Sequence, residues 1–480
     1  MPLILPGNVA TAIASTTYSV ANSCRFNDGD SAYMTKTPGS DGNRQTFTIS
    51  VWCKRGTLGS QQNILGSSDS NFGNGLFFQF QSDDTFRFGF QDPNQFKATN
   101  RVFRDTSAWY NIIVAVDVNQ ASNSNRVKIY VNGTQETSFA TDNTMTDVDK
   151  DWNNQQAHSI GRSGAHDNQY FDGYLAEVVS IDGLQLAASS FGEFDEDSPN
   201  IWKPKDVSGL TFGTNGFYLD FEASGNLGND ANGGTDLTEV NLAAVDQCQD
   251  SPTNNFATWN SLYRDGAQLS QGNTVGANNA GTAPQYISGI SSIGMFINTG
   301  IYYCEIKLVS ESSSGESLIG VGGDVETLDL AAQTESGTGW FGIRNDNGLK
   351  YYNTSNATSQ HGGFTAGDIM GLAFDSTNKK LTFSKNGGWW NGTGTWGGTS
   401  PDYSTHYIDC SGGSYGTFYF YGAASNGASV TSTWAANFGN GSYGGTAISS
   451  AGTNATGQDG LFEYSMPSSS KVLSTKGLNS

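Results

Sequence analysis

Acidic residues that could cleave a glycosidic bond occur at two places in this 480-residue chain. Glycoside hydrolysis requires two carboxylates held several ångströms apart across a sugar-sized cleft. The acids of segment 193–196 precede Pro199 in a predicted loop, which does not hold carboxylates rigidly on one strand face. Asp220 and Glu222 share one strand face, but no third acid accompanies them. We therefore predict no catalytic residue and a protein that is not an enzyme.

The four histidines offer no hydrolytic triad. Nucleophilic hydrolysis combines a nucleophile with a histidine and an orienting acid. None of the histidines lies near a Gly-x-Ser-x-Gly turn, which would expose a reactive serine; they are His158, His166, His361 and His406. His158 precedes a predicted strand and is interpreted as structural. His166 lies in a polar loop, so we interpret it as a candidate surface contact for a ligand.

Three tryptophans cluster in a tract rich in glycine, asparagine and threonine. Trp389, Trp390 and Trp396 stand in this tract together with Asn391. Flat aromatic faces stack on sugar rings or on protein partners, and asparagine and threonine supply hydrogen bonds. The tract therefore predicts a binding site formed by these four residues. The alternative interpretation is that one or more of the indoles plug the open end of a β-sandwich.

The charge balance argues against two classes of partner. The chain has 24 basic and 45 acidic residues, a formal net charge of −21, and it contains no run of lysine and arginine. A negative field repels nucleic-acid phosphates and anionic lipid surfaces, so we predict no nucleic-acid partner. No apolar window reaches a membrane-spanning length, which predicts no membrane insertion. Residues 1–14 lack the features of a signal peptide.

The cysteines indicate neither a redox motif nor a metal knuckle. They number five and are widely spaced, at Cys24, Cys53, Cys248, Cys304 and Cys410. Cys53 and Cys304 fall on the apolar face of predicted strands. We therefore predict buried free thiols, which behave as small apolar side chains.

The composition indicates an all-β protein. The chain has 61 Gly, 28 Phe, 20 Tyr and 10 Trp against 10 Pro, which is typical of aromatic strands joined by glycine-rich turns. Segments 46–54 and 86–90 alternate apolar and polar residues as strands do, and Asn-Gly pairs at 132–133 and 386–387 predict hairpin turns. We predict two antiparallel β-sandwich, jelly-roll-like domains in series.

Changes in composition set the predicted domain boundaries. Residues 1–22 are interpreted as an extended N-terminal attachment segment and residues 23–225 as the first sandwich. Residues 226–260 are rich in glycine and asparagine and are predicted to form a connector with little core. Residues 261–440 form the predicted second sandwich. The polar C-terminal tail, 441–480, is expected to be poorly packed or to dock on a partner.

Four motifs in the first sandwich carry a family resemblance. They are Trp109–Asn111, Val127–Gly133, His158–Arg162 and Phe171–Val178. In this order they resemble the concanavalin A-like, laminin-G-type domain. The resemblance implies a lectin-like sandwich whose end loops bind a glycan or a protein.

The laminin-G-type resemblance also implies a possible calcium ion at the rim of the sandwich. Such an ion takes hard oxygen ligands, for which Asp117, Asn119, Asp167 and Asp172 are candidates. No EF-hand spacing is present, and aspartate and asparagine are also ordinary turn residues. The ligands therefore stay unassigned; no cofactor is required, and calcium is possible.

The second sandwich resembles a SPRY domain. The motifs that carry this resemblance are Gly300–Ile306, Ile319–Gly322, Gly367–Asp375 and Leu381–Gly387. The last two motifs form a predicted tight antiparallel hairpin, whose strands contribute side chains to the predicted core.

The pairing of these two domains resembles tail-fibre-like structural proteins of marine bacteriophages. The opening Leu3–Asn8 and the segment Thr253–Asn260 add to this resemblance. It implies a tail fibre, spike or receptor-binding protein on the virion surface, which adheres to a glycan or protein of the host cell surface. It also implies contact with other virion proteins through residues 1–22 and a homo-oligomer, for which a trimer is expected.

Three alternative functions stay open. The protein could be a head fibre or decoration protein that residues 1–22 attach to the capsid. It could be a glycan-degrading enzyme of the concanavalin A-like class. It could also be an intracellular SPRY adaptor, which the phage-like opening disfavours.

Overall fold

The structure is a computed structural model in which the chain divides into two compact units. We call residues 18–253 the N-terminal unit and residues 254–479 the C-terminal unit, counting described residues only. The structure describes residues 18–68, 75–90, 95–164, 169–265, 267–277, 286–312, 317–323, 339–345, 349–352, 355–392, 394–412, 414–425 and 431–479.

The N-terminal unit is built almost entirely from strands, as predicted. The strands are β1 (Ser23–Phe26), β2 (Tyr33–Lys36), β3 (Thr46–Arg55), β4 (Gln62–Ser68), β5 (Leu76–Phe80), β6 (Thr85–Phe90), β7 (Gln95–Val102), β8 (Tyr110–Asp117), β9 (Val127–Val131), β10 (Thr134–Gln135), β11 (Phe139–Asp142), β12 (Ala157–Ile160), β13 (Gly173–Asp182), β14 (Gly192–Phe194), β15 (Trp202–Pro204), β16 (Phe217–Leu219), β17 (Thr238–Val240) and β18 (Gln247–Cys248). A short helix, α1 (Asn123–Arg126), separates β8 from β9.

Two sheets form the sandwich of the N-terminal unit. Sheet I has the strand order β10-β9-β8-β3-β13-β1-β18, with β16 also paired to β13. Sheet II has the order β11-β7-β6-β5-β4-β12-β2-β17. Successive side chains of a strand point to opposite faces, so each sheet sends alternate residues into a shared core. Phe86, Phe88 and Phe90 of β6 all lie in this core, as the alternation predicted.

Residues 226–253 belong to the N-terminal sandwich, so the predicted connector at 226–260 is wrong. β17 extends sheet II by pairing with β2, and β18 extends sheet I by pairing with β1. Leu227 and Leu237 are buried in the core between the sheets. Backbone hydrogen bonds attach this segment to the two sheets, and amino-acid composition does not reveal such bonds.

The C-terminal unit is a second sandwich. Its strands are β19 (Trp259–Asp265), β20 (Gln268–Ser270), β21 (Val275–Ala277), β22 (Tyr286–Ser291), β23 (Met295–Phe296), β24 (Ile301–Glu311), β25 (Ser317–Gly323), β26 (Trp340–Arg344), β27 (Leu349–Tyr352), β28 (Ser355–Gln360), β29 (Ile369–Asp375), β30 (Lys380–Lys385), β31 (Gly388–Gly392), β32 (Thr395–Gly398), β33 (Ile408–Asp409), β34 (Thr417–Ser425), β35 (Ser432–Asn437), β36 (Ser442–Tyr443), β37 (Thr446–Ala447) and β38 (Ser470–Val472). Helix α2 (Thr475–Asn479) follows β38.

Two sheets again enclose a core in this unit. Sheet III has the order β19-β22-β34-β25-β26-β27-β28, with β23 beside β34. Sheet IV has the order β20-β21-β35-β24-β29-β30-β31-β32, with β33 beside β30 and β38 beside β24. β38 runs parallel to β24, whereas β24 is antiparallel to β29 and β35.

The C-terminal tail packs on its own unit, so the prediction of a poorly packed tail at 441–480 is wrong. Phe462, Met466 and Val472 are buried against Tyr303 and its neighbours on the outer face of sheet IV. The tail thus completes the fold, because these apolar side chains find a surface that β24 leaves uncovered.

The cysteines are buried free thiols, as predicted. Their pKa is raised by burial, which keeps them protonated and unreactive; for Cys53 it rises to about 12. Within the described ranges, none of the helices has the length and apolar character that crossing a lipid bilayer requires.

Candidate functional site

A row of polar side chains crosses the outer face of sheet II. Asn63 of β4 lies opposite Gln79 of β5, and Gln79 lies opposite Arg87 of β6. Directly opposite residues of an antiparallel pair project to the same side. Because their chain neighbours Phe78 and Phe86 point into the core, these three polar side chains point away from it.

Arg87 lies between two phenyl rings on this face. Its guanidinium carbon is 4.4 Å from the ring centre of Phe77 and 3.9 Å from that of Phe96. Contacts of this length are cation–π interactions, and they fix the plane of the guanidinium. Burial lowers the pKa of Arg87. The side chain is therefore held between the two rings.

Gly89 makes this arrangement possible. It lies opposite both Phe77 and Phe96, in the row next to Arg87. A β-carbon at position 89 would stand 2.2 Å from the carbonyl oxygen of Gln95 and 2.4 Å from the β-carbon of Phe96. A side chain there would push β6 and β7 apart and displace one of the two rings.

The polar row has unmet hydrogen-bonding capacity. Gln79 is fully buried, yet neither its amide nitrogen nor its amide oxygen bonds to any residue that the structure describes. The same holds for Oδ1 of Asn63 and Nε of Arg87. A buried polar group without a partner costs about 1–3 kcal/mol. These atoms therefore have no compensating hydrogen bond among the described residues.

Residues next to the polar row extend the face towards β2. The amide Nδ2 of Asn63 donates to Oε1 of Gln169 at 2.7 Å. Arg162 places its guanidinium carbon 3.6 Å from the ring centre of Tyr33, and Tyr170 lies 6.4 Å from the same ring. Aromatic rings and cationic groups therefore alternate across the face. We call the set Tyr33, Asn63, Phe77, Gln79, Arg87, Phe96 and Arg162 the sheet II face.

The predicted tryptophan site is corrected at two of its residues. Trp389 and Trp390 lie in the hairpin of β31 and β32 and are each only 4% exposed. The Trp389 ring packs 6.3 Å from that of Tyr303, and the Trp390 ring lies 3.8 Å from that of His361. Trp389 packs with the C-terminal tail on the outer face of sheet IV, and Trp390 packs against His361, so neither offers a flat face to a ligand.

The other two residues of the tryptophan tract are accessible. Asn391 is exposed and its Oδ1 accepts a hydrogen bond from Thr395 at 2.8 Å. Trp396 is half-buried, and the Lys385 ammonium lies 5.9 Å from its ring centre. Their role in binding stays a prediction. His166 lies outside the described residues.

The candidate calcium ligands do not converge. Asp117 ends β8 opposite Thr46, at one end of β3, whereas Asp172 directly precedes Gly173, which lies opposite Arg55 at the other end. Nine residues of extended strand separate these ends by about 30 Å. Asn119 donates to Asp117, and Asp167 lies outside the described residues. Among the residues described, no group of three metal-binding side chains is present.

Two buried carboxyl groups escaped prediction. Glu177 sits at the bulge in β13 and accepts hydrogen bonds from Tyr18 and Tyr218, each at 2.9 Å. Burial raises its pKa to about 7. Glu305 of β24 is likewise buried and accepts several hydrogen bonds from the C-terminal tail. Both occur in motifs of the family resemblances, but nothing in the sequence indicates that their oxygens are occupied by other parts of the chain.

Comparison with known proteins agrees with the architecture of the N-terminal unit. Residues 28–183 match the concanavalin A-like lectin/glucanases superfamily. The predicted concanavalin A-like domain is thereby confirmed. A search of curated protein sequences finds no match for the chain.

Several solved structures are similar to parts of the chain. The SPRY domain of human HERC1 is 16% identical, with 37% of this chain and 96% of that domain covered and a TM-score of 0.29. Mouse laminin alpha1 domains LG4-5 are 11% identical, with 84% of this chain and 83% of theirs covered and a TM-score of 0.27. A SAP-like pentraxin from Limulus polyphemus is 14% identical, with 36% and 80% covered and a TM-score of 0.26.

Proposed function

We propose that the protein is a binding protein without catalytic activity and that the sheet II face holds a saccharide. The observation that carries this proposal is a row in which both amide atoms of Gln79, Oδ1 of Asn63 and Nε of Arg87 lack partners among the described residues, beside the rings of Phe77 and Phe96.

A saccharide suits the chemistry of this face. Sugar hydroxyls donate and accept hydrogen bonds, and the primary amide of Gln79 offers both a donor and an acceptor. The C–H faces of a sugar ring pack on aromatic side chains, which the exposed parts of Phe77 and Phe96 supply. An apolar peptide surface would leave the amide and guanidinium groups unsatisfied, at a cost that disfavours its binding.

Hydrolysis of the bound saccharide is disfavoured by the composition of the face. A glycosidase needs two carboxylates on either side of the scissile bond. The outward positions of the described parts of β4, β5, β6 and β7 carry Asn63, Gln79, Arg87, aromatic and small residues, and none of them is acidic. This favours binding over the glycan-degrading alternative.

The biological setting that we propose is the surface of a bacteriophage virion. The support is the resemblance of the opening Leu3–Asn8 and of the two-domain arrangement to tail-fibre-like proteins. There the protein would bind host-surface glycan or protein, attach to other virion proteins through residues 1–22 and form a homotrimer. Several copies on one particle would multiply weak single-site affinities. A head fibre or decoration protein is the second candidate.

A glycan array with the full chain tests the proposed function. We expect the parent protein to bind a subset of saccharides and the Gln79→Ala variant to bind them at least tenfold more weakly, because the amide contacts are lost. Asn378→Ala, which alters an exposed amide of the C-terminal unit outside every predicted site, is the matched control and should bind like the parent. Binding that survives Gln79→Ala, or release of reducing ends from the bound glycan, would contradict the proposal.

A further inference from the structure

We infer that the saccharide held by the sheet II face is acidic, and that Arg87 recognises a carboxylate or sulfate group on it. This inference rests on the proposed function and adds the chemical class of the ligand. It depends on the lack of any anionic or carbonyl partner for Arg87 among the described residues, together with the two rings that fix its orientation.

Six other arginines of the N-terminal unit find acceptors within the chain. A carboxylate lies within 3.2 Å of each of Arg25, Arg44, Arg55, Arg101 and Arg104. Arg126 donates to the carbonyl oxygens of Gln120 and Met145. In a chain with 45 acidic and 24 basic residues, acceptors are abundant. An arginine that meets neither a carboxylate nor a carbonyl is therefore exceptional in this unit.

The two phenyl rings decide how a ligand can approach Arg87. Phe77 and Phe96 contact the guanidinium from the strands on either side of β6, which limits the room for a sugar ring to stack on it. The N–H groups along the edge of the guanidinium remain, and their fork matches the spacing of two oxygens of a carboxylate or sulfate. Neutral hydroxyls pair less well with this fork, because they make single, weaker hydrogen bonds.

The neighbouring amides position the rest of the ligand. Gln79 lies one strand away from Arg87, at the usual strand spacing of about 4.8 Å, and Asn63 lies one strand further. An anionic group on Arg87 thus lies one strand away from the unsatisfied and fully buried amide of Gln79. The three side chains form one line along which an oligosaccharide can extend.

The net charge of the protein means that a preference for acidic saccharides cannot arise from long-range electrostatic attraction. A molecule with a net charge of −21 repels polyanions at long range, so non-specific capture of acidic polymers is disfavoured. Preference for an acidic saccharide must then come from a short-range contact, which the guanidinium of Arg87 on the sheet II face can make.

Calorimetric titration with matched oligosaccharides tests the inference. The probes are an oligosaccharide of glucuronic acid, its neutral glucose counterpart with the same linkages, and a sulfated form of the neutral compound. We expect the parent protein to bind at least one acidic probe tenfold or more tightly than the neutral one. Comparison of the glucuronic acid and sulfated probes tells which anionic group is recognised.

Variants separate this inference from the proposed function. Arg87→Gln should remove the preference for the acidic probe, and Arg87→Lys should recover only part of it, since an ammonium lacks the fork. Arg101→Ala, which removes an exposed arginine paired with Glu136, is the matched control and should keep the parent's preference. Thermal unfolding of each variant verifies folding.

The failures are distinguishable. If the neutral probe binds as tightly as the acidic ones, or Arg87→Gln weakens both equally, the acidic ligand is refuted while saccharide binding stands. If no saccharide binds, the proposed function itself fails.

Discussion

The outer faces of sheet II and sheet IV differ in whether their buried polar side chains have hydrogen-bond partners. On sheet II, Gln79 is buried with both amide atoms unpaired within the described chain. On sheet IV, Glu305 is equally buried, but its oxygens accept hydrogen bonds from the hydroxyls of Tyr303 and Tyr443 and from the backbone N–H groups of Glu463 and Tyr464. One face is completed by the chain itself, and the other is left incomplete.

This difference distinguishes a buried polar side chain that stabilises the fold from polar side chains that we propose bind a ligand. Burial raises the pKa of Glu305, because removing a carboxylate from water disfavours its charged form, while the four donors counteract that effect. The tail thereby gains a polar attachment point beneath its apolar contacts. On the sheet II face, both amide atoms of Gln79, Oδ1 of Asn63 and Nε of Arg87 have no such partner among the described residues, which we interpret as capacity reserved for a ligand.

Removing the carboxyl group of Glu305 should produce the largest effect. Glu305→Ala leaves four donors without their acceptor, two of them backbone N–H groups, so we expect a loss of about 4 kcal/mol in the free energy of unfolding. Urea denaturation measures this loss, and limited proteolysis should show earlier cleavage within residues 441–479. Glu305→Gln keeps one acceptor oxygen and should lose less.

A control variant in the tail tests whether the Glu305 effect is specific. Asp459 forms an exposed ion pair with Lys476, and Asp459→Ala should change stability by less than about 1 kcal/mol. Equal losses from Glu305→Ala and Asp459→Ala would show that Glu305 does not hold the tail and would remove the contrast between the two faces.

Glu177 provides an intermediate case, with two tyrosine donors and a pKa of about 7 against its usual 4.5. The folded protein binds this proton more tightly than the unfolded chain does, so stability falls as pH rises from about 4.5 to about 7 and the penalty is complete above pH 7. Glu177→Gln removes this ionisation. We expect the variant to exceed the parent by up to about 3 kcal/mol above pH 7 and by little below pH 4.5.

Chemical denaturation between pH 4 and pH 8 measures this change. Asp172, with a pKa raised to about 7 by burial, contributes a pH dependence of the same sign, so Glu177→Gln should reduce the slope without abolishing it. An unchanged slope in the variant would mean that Glu177 titrates normally, and that two tyrosine donors satisfy its charged form as well as water does.

Replacing Gln79 should stabilise the protein, whereas replacing Glu305 should destabilise it. Gln79→Leu removes two unpaired buried polar atoms, so we expect the free energy of unfolding to rise by about 1 kcal/mol while saccharide binding is lost. Thermal unfolding and titration calorimetry measure the two quantities on the same preparation. A loss of stability would show that the amide has partners in the folded protein and would end its interpretation as a ligand group.

Strand faces and buried thiols could be predicted because their signal lies within single segments. The predicted strand at 46–54 is observed as β3, with Cys53 buried in the core as expected. The period of two that distinguishes a strand is visible in the order of apolar residues alone. The same local pattern correctly assigned the core-facing phenylalanines of β6.

Predictions from composition were wrong for the segments that backbone hydrogen bonds hold in a sheet. β17 and β18 lie in the stretch predicted to be a connector, and β38 lies in the predicted loose tail. Every residue except proline carries the N–H and C=O groups that form these pairs, so polar sequences pair as readily as apolar ones. The predicted binding role of Trp390 was wrong for a related reason. The residue type alone does not indicate whether this indole packs against His361 or is exposed to solvent.

The amino-acid sequence by itself determined the all-β character, the two sandwiches, the strand faces and the buried cysteines, because each follows from composition or from short-range alternation. Only the tertiary structure decided which polar side chains find partners. Arg87 and Gln79 lie opposite each other because β5 and β6 pair in this register, and Glu305 meets the N–H of Glu463, 158 residues away. Hydrogen-bond satisfaction is a property of groups brought together from distant positions, and no single segment contains it.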